Sequence, residues 1–490
     1  MRGRVLHAQY DLTSTRGSSG VVIVIGRLMA IGSMGLATLV AHAEPAQEFD
    51  LVVERYVSEA LHSNLALQGE TLEVDKATEA LAAARARFFP EISLLARYSR
   101  SDGGRDFEIP VGTALNPVFG TLNELLIAQG QPPRFAPTQD ITVPFLRREE
   151  QDTRVVVRQP LYAPAIPAAV RAQRALLDAT SFNRMAVARA LRRDVTIGYL
   201  DWLKARSAVD IVSASQALLR ENLRVNESLF DNGKVTEDQV LRAKTELLAV
   251  EQRLRETENL ATQAQSFFNF LLNRELLAPI DASAAPAEAS PSSQALPGLW
   301  TDALERRPEL GRVEQQRRAA SEQATIARKQ KWPVLTLALD GGTQGVDYRT
   351  GEGYDFGTAS LIFTWRIFDG GGDAARARQA RAAERQLVLR KEEIAQQIRL
   401  EVQQAFDRLT TARDSLTTAS ARADAARAAF RIASRKRDEG VINQVEFIDA
   451  RSALTSAELN HNLTRFDVLA RRAELEYATA AGDLPLDPGA

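Results

Sequence analysis

Ala84-Arg-Ala-Arg-Phe-Phe-Pro90 runs into an alternating stretch, Ile92 to Ser99, and Ala327-Arg-Lys-Gln-Lys-Trp-Pro333 runs into another, Val334 to Asp340. The duplication continues outward from this pair. Val155-Val-Val-Arg-Gln-Pro-Leu-Tyr162 precedes a long Ala- and Arg-rich segment, and Leu361-Ile-Phe-Thr-Trp-Arg-Ile-Phe368 precedes a second. Leu229-Phe-Asp-Asn-Gly-Lys-Val235 breaks the first segment, and Arg437-Asp-Glu-Gly-Val441 breaks the second. Each half therefore reads helix, strand, loop, strand, long helix, turn, long helix, and repetition at this scale is the strongest organisational signal in the chain.

The expected division is residues 44–277 for the first repeat, 298–481 for the second, an Ala-, Ser- and Pro-rich joint at 278–297, and a tail at 482–490. In the first repeat the strand pair is expected at about 91–100 and 153–162, and the helix hairpin at 164–275. In the second they are expected at about 334–341 and 356–368, and at 373–480. The loop after the first strand holds six prolines between Pro110 and Pro144 and a short helical pattern near Leu122 to Gln129.

The long segments carry a 3-4 alternation of apolar and small residues. Val240, Ala243, Leu247, Val250, Leu254, Thr257, Ala261, Ala264 and Phe268 step in this way. So do Leu409, Ala412, Leu416, Ala419, Ala423, Ala426, Phe430 and Ala433, and so do Val445, Ile448, Ser452, Thr455, Leu459, Asn462, Phe466, Leu469 and Ala473. This is the seam of coiled-coil packing, and its small and polar members suit a wall that is wet on one side. A helix from about Pro164 to Asp231 reaches ~100 Å at 1.5 Å per residue, longer than a compact domain uses.

The strand candidates are two-faced. Leu335, Leu337 and Leu339 alternate with Thr336, Ala338 and Asp340; Val155, Val157 and Leu161 alternate with Arg154, Val156 and Arg158. Ala359, Leu361, Phe363, Trp365 and Ile367 alternate with mostly polar neighbours. A transmembrane barrel strand presents one face to lipid and one to a watery lumen in this way. Four strands cannot close a barrel, and open edges cannot face lipid, so the strands must close with other copies of the chain. Three copies supply twelve strands. The competing reading is a soluble periplasmic coiled-coil structural or adaptor protein, with the strands in a small soluble sheet.

Composition narrows the function. The 490 residues include no Cys, which excludes disulfides, thiolate metal sites and a Cys nucleophile. A net charge of -2 from 61 basic and 63 acidic residues gives no reason to expect nucleic acid. Leu28 to Val40, followed by Ala41-His42-Ala43, reads as a secretory signal peptide over residues 1–43. Past it, only His62 and His461 remain among the histidines, on different helices, and no cluster has metal-ligand spacing. No catalytic residue, metal site or cofactor is expected; the chain is not an enzyme on this reading.

Arg307-Pro-Glu-Leu310 leading to Pro333, Trp365-Arg-Ile-Phe-Asp-Gly-Gly-Gly372 at a strand-to-helix transition, and the turns around Gly233 and Gly440 with Ala243 and Ala450 at matching offsets together resemble the TolC-like outer membrane efflux protein family. The resemblance covers nearly all of the chain after residue 43. It implies a mainly α fold with a transmembrane β part: long coiled-coil helices in a periplasmic α-barrel, and four strands per chain in a trimeric twelve-strand β-barrel. It implies a homotrimer in the outer membrane of a Gram-negative-type bacterium, in contact with outer-membrane lipid. It further implies partners in a periplasmic adaptor (membrane fusion) protein and an inner-membrane transporter, which selects and drives the cargo.

Residue by residue, the family's acidic pore constriction falls on Glu446 and Asp449, one turn apart and so on one helix face. The adaptor-contacting hairpin tips fall on Gly233, Lys234 and Val235 and on Gly440, Val441 and Ile442. The gate that holds well-known members closed uses an Arg and a Tyr near the second turn against a Thr-Asp pair near the first. Here the matching region offers Arg437 and Ile442 against Asp238-Gln239, with Asp438 alongside, so the lock is not reproduced residue by residue. Arg437 has Asp238, Glu237 and Asp438 as candidate partners.

Overall fold

The computed structural model describes residues 45–283, 295–482 and 484. The expected signal peptide lies outside these residues, as do most of the tail and the middle of the joint. In chain order the elements are α1 (Pro45–Ser63), α2 (Leu65–Ala86), β1 (Glu91–Arg100), β2 (Asp106–Ile109), α3 (Val111–Ala128), β3 (Ile141–Pro144), β4 (Glu149–Tyr162), α4 (Ile166–Asp231) and α5 (Glu237–Leu271). The second half follows with α6 (Leu296–Arg306), α7 (Pro308–Lys329), β5 (Val334–Gly345), β6 (Asp355–Thr364), α8 (Gly372–Asp438) and α9 (Gln444–Ala478).

The helices form a wall rather than a ball. α4 and α8, of 66 and 67 residues, run its full length at ~100 Å each. Beside them, pairs of shorter helices share the same span. α2 and α5 both pack on one side of α4; α7 and α9 both pack between α4 and α8. The order across the wall is thus α2/α5, α4, α7/α9, α8. Burial follows from that order. α5 is covered along the seam marked by Ala243, Leu247 and Phe268 and, at its end, at Asn269 and Leu271, leaving Leu241, Leu248 and Leu260 exposed. α8 is covered along Ala377, Ile398, Val402, Ala405, Leu409, Ala412, Ala419 and Ala423. The inner helices are covered on two sides; in α9 one buried stripe includes Ile448, Thr455, Asn462 and Phe466 and the other Phe447, Leu454, Val468 and Leu475.

Two steps of the expected α9 seam differ, the first being Val445, which is exposed in the opening turn of the helix. At the second, Ser452 faces outward and Arg451 is buried in its place. The reason is local: the Arg451 guanidinium lies 5.4 Å from the Phe430 ring centroid, and its Nε reaches the Ser215 hydroxyl at 3.3 Å. The aliphatic stem is buried while the cationic head finds a ring face and an oxygen.

Short helices clamp the wall at mid-height. α1 lies on α4, closing a core of Phe49, Tyr56, Val57, Tyr199, Trp202, Phe268 and Leu272. Tyr56 meets Phe268 edge-on at 5.0 Å, and Tyr199 sits 5.5 Å from Tyr56. Burying each such ring contributes ~1.5–3 kcal/mol. The Tyr199 hydroxyl donates to the Asp281 carbonyl at 2.9 Å and accepts the Ser283 N–H at 3.1 Å, fastening the start of the joint to the wall. In the second half α6 lies on α8 in the same way, with Leu299 and Ala303 against Ile398, Val402 and Val468. Arg307, at the α6–α7 corner, donates to both Glu309 oxygens at 2.9 Å and to Glu401 of α8 at 3.0 Å.

Higher up, Glu314 of α7 accepts from Arg317 at 2.8 Å and from Lys391 of α8 at 2.9 Å. The Arg317 bond, opposed by partial burial and joined by Lys391, holds this carboxyl at about 2. Two glycines allow close approach elsewhere. A Cβ on Gly198 would touch the Leu271 side chain at 3.3 Å, and one on Gly311 would meet the Phe182 ring of α4 at 2.6 Å.

β1, β4, β5 and β6 form one antiparallel sheet in the order β1-β4-β5-β6. β2 and β3 pair separately and, with α3, make up the insertion between β1 and β4. The helical pattern expected near Leu122 to Gln129 is the end of a longer helix. Pro117 and Gly120 sit inside α3, because the helix is strapped to the following segment by side chains. Asn116 exchanges two bonds with the Thr138 backbone at 2.8 Å, and Asn123 accepts from Arg134 and Phe135 at 3.0 Å.

Candidate functional site

The register sorts the sheet into two faces. Ile92 and Leu94 stand across from Val157 and Val155, Val157 from Leu339, and Leu337 and Leu335 from Leu361 and Phe363. These residues share one face, and Ile92, Leu94, Val155, Leu339, Leu361 and Phe363 are exposed on it. The other face carries Arg97 opposite Asp152, Leu95 opposite Arg154, and Val156 opposite Asp340. Asp152 is nearly buried there, with Arg154 at 3.4 Å and Arg97 at 3.7 Å. At Gly342 a Cβ would fall 2.1 Å from the Thr153 carbonyl oxygen, so only glycine lets β5 approach β4 at that point. Pro160, which has no N–H to donate, coincides with a register shift before Tyr162. Large exposed aromatics gather at the end of the sheet nearest the helices: Phe88 and Phe89 before β1, Tyr162 closing β4, Trp332 before β5 and Trp365 after β6.

Both layers have open edges. β1 and β6 each pair on one side only. α2/α5 and α8 occupy the matching edges of the helical wall.

At the far end of the wall the two hairpins turn in the same way. Gly233 has φ 66° and Gly440 φ 73°, left-handed conformations that glycine adopts without penalty. The next residue's N–H closes each helix: Lys234 bonds the Leu229 carbonyl and Val441 the Lys436 carbonyl, both at 2.8 Å. Lys234 and Val441 are exposed, while Val235 and Ile442 are half-covered. Asn443 then caps α9, its side-chain oxygen accepting the Glu446 N–H at 2.9 Å. Glu446 and Asp449 both lie on the exposed face of α9, opposite buried Phe447, Ile448 and Arg451.

The gate candidates are not brought together. Asp238 accepts the Thr236 hydroxyl in its own turn. Arg437 donates to Asn222 of α4 at 3.2 Å, pairs with Asp438 at 3.2 Å, and lies 3.9 Å over the Phe447 ring centroid. Among the bonds of the described residues none joins Asp238 or Gln239 to Arg437 or Asp438. Of the partners weighed for Arg437, Asp438 is the one in place.

Behind the acidic face lies a polar layer that the sequence reading did not single out. Arg451 and the Thr455 hydroxyl both reach Ser215, the latter at 3.2 Å, and Asn226 bonds the Asn222 carbonyl at 2.8 Å. Burial pushes the Arg451 guanidinium down from its usual value, with Glu458 acting the other way; an arginine remains cationic regardless. The signal was present as polar residues at seam positions, Thr455 and Asn462 among them.

Among the described residues no helix is long and apolar enough to cross a membrane. Residues 299–481 match the family model described as outer membrane efflux protein. The sequence is 29% identical over 211 residues to outer membrane protein OprJ of Pseudomonas aeruginosa, a match covering 41% of this chain and 43% of that relative's length. The Campylobacter jejuni CmeC outer membrane channel is similar in structure at a TM-score of 0.71 and 16% identity, over 89% of this chain and 87% of that one. The open state of the Neisseria gonorrhoeae MtrE outer membrane channel is similar at 0.69 and 16%, over 88% and 89%. Over residues 299–481 the chain thus matches the outer membrane efflux protein family, and its fold is similar to that of outer membrane channels.

Proposed function

We propose that the protein is the outer-membrane duct of an efflux or export system, closed as a trimer and catalysing nothing itself. The observation that carries this reading is the open edge on both sides of both layers. A sheet with one apolar and one charged face, ending in unpaired strands, is a third of a barrel with lipid outside and water inside. The aromatic girdle at the helix-side end of the sheet suits the membrane–water boundary. The one-sided burial of α5 and α8 suits a helical wall that continues into the next copy.

In that ring the helices extend the barrel into the periplasm. The tips at Gly233–Val235 and Gly440–Ile442 meet a periplasmic adaptor, and an inner-membrane transporter supplies the driving force. Glu446 and Asp449 of three copies place six carboxylates around the narrow end, where crowded negative charge concentrates cations and repels anions. Arg437 and Asp438, with Asp238 and Gln239, stand at the same level as the gate region.

The test is the native mass of the protein extracted in detergent from the outer-membrane fraction. A mass of three chains is expected. A monomer or dimer in the soluble periplasmic fraction would replace the duct with a coiled-coil stalk.

A further inference from the structure

α3 lies at the end of the sheet away from the helical wall, since β1 leaves α2 and reaches the β2–α3–β3 insertion only at its far end. One face of α3 is fully used. Asn116, Phe119 and Asn123 hold the segment from Arg134 to Thr138, Phe119 stacking on Phe135 at 5.5 Å, and Asp140 accepts both the Thr113 N–H and its hydroxyl. Beside that face runs a second one with nothing on it. Val111, Leu115, Val118, Leu122 and Leu125 step 4, 3, 4, 3, and Leu115, Val118, Leu122 and Leu125 are 40, 52, 38 and 55% exposed. Glu124, the one charged residue of the helix, lies off this line, as do Pro117 and Gly120.

We infer that this seam is a contact between copies of the chain: three α3 helices pack on one another around the axis of the ring and form a lid over its outward opening. The inference rests on the trimeric duct proposed above. A 4-3 spacing is the pattern of a helix packed on a helix. A helix lying on lipid has a broad apolar side and a basic polar face, and α3 contains no Lys or Arg. Its position supports the same occupant. β1, from which the insertion springs, is an open edge, so α3 stands at the boundary between one copy and the next.

The chain has no cysteine, so one introduced thiol is unique. Trimers are first verified by native mass and then treated with a short bis-maleimide. Val118→Cys is expected to give cross-linked pairs of chains, and Glu124→Cys, on the far side of α3, is expected to stay uncross-linked. Leu115→Asp with Leu122→Asp is expected to raise single-channel conductance at least about twofold by parting the lid. Loss of the native trimer mass in the unmodified protein would overturn the duct itself. Trimers in which Val118→Cys fails to cross-link, or links no better than Glu124→Cys, would overturn the lid while leaving the duct standing. Quenching of a Leu122→Trp variant by brominated lipid would reassign the seam to the membrane surface and likewise overturn it.

Discussion

Glu314→Gln isolates one charge that ties α7 to α8. Glu314 accepts from Arg317 and Lys391 and is held at about 2 against an ordinary 4.5. At 1.36 kcal/mol per pH unit that difference has a ceiling of about 3.4 kcal/mol. The carboxylate is 23% exposed, so water and salt screen part of it, and about 1–2 kcal/mol is the expected share. The sign follows from the depressed value. The stabilisation is fully present above pH ~4.5 and is lost as the pH falls toward ~2, because the unfolded chain takes up the proton first. The amide keeps the shape but neither the charge nor the second acceptor. Guanidinium unfolding of detergent-solubilised wild type and variant, followed by helical circular dichroism, measures the difference at each pH. Wild type is expected to exceed the variant by about 1–2 kcal/mol at pH 7 and to converge with it near pH 2. A gap that is the same at pH 7 and pH 2.5 would show that Glu314 acts through packing and not through its charge.

Gly311→Ala places a methyl 2.6 Å from the Phe182 ring and is expected to destabilise by about 1–3 kcal/mol, with Phe182→Leu restoring most of the loss; a thermal scan of the two variants decides. Tyr199→Phe removes the bonds to Asp281 and Ser283 and is expected to cost about 1 kcal/mol, with faster proteolysis within 278–297 as the readout. Replacing Glu446 and Asp449 together by Ala is expected to weaken block by multivalent cations in planar bilayers. Unchanged block and conductance would remove both residues from the constriction.

Much of the architecture is legible in the sequence because it is written in periods. The 3-4 seams of α5 and α8 fall on the covered positions, since an edge helix has one buried face and one pattern to declare. α9 is less legible because it is covered on two sides, and an arginine beside an aromatic ring takes a position that a residue scale assigns to Ser452. α3 is half-legible for a related reason: Pro117 and Gly120 read as breaks, while the straps from Asn116 and Asn123 that hold the helix are contacts across more than ten residues. The tips are legible as Gly-containing turns. The partner of Arg437 is not, because Asn222 lies 215 positions away on another helix.

The duplication has a consequence for how a ring of three copies is divided. β4 against β5 joins the first half of a chain to its second half, and α4 against α7 and α9 does the same among the helices. β6 against the next copy's β1, and α8 against its α2 and α5, would repeat that join between molecules. Such a ring has six near-equal sectors and six seams, of which every other one is crossed by covalent chain. A molecule severed between residues 283 and 295 keeps the β4–β5 and α4–α7/α9 contacts that join its halves. The covalent link then serves to keep unlike sectors alternating around the circumference.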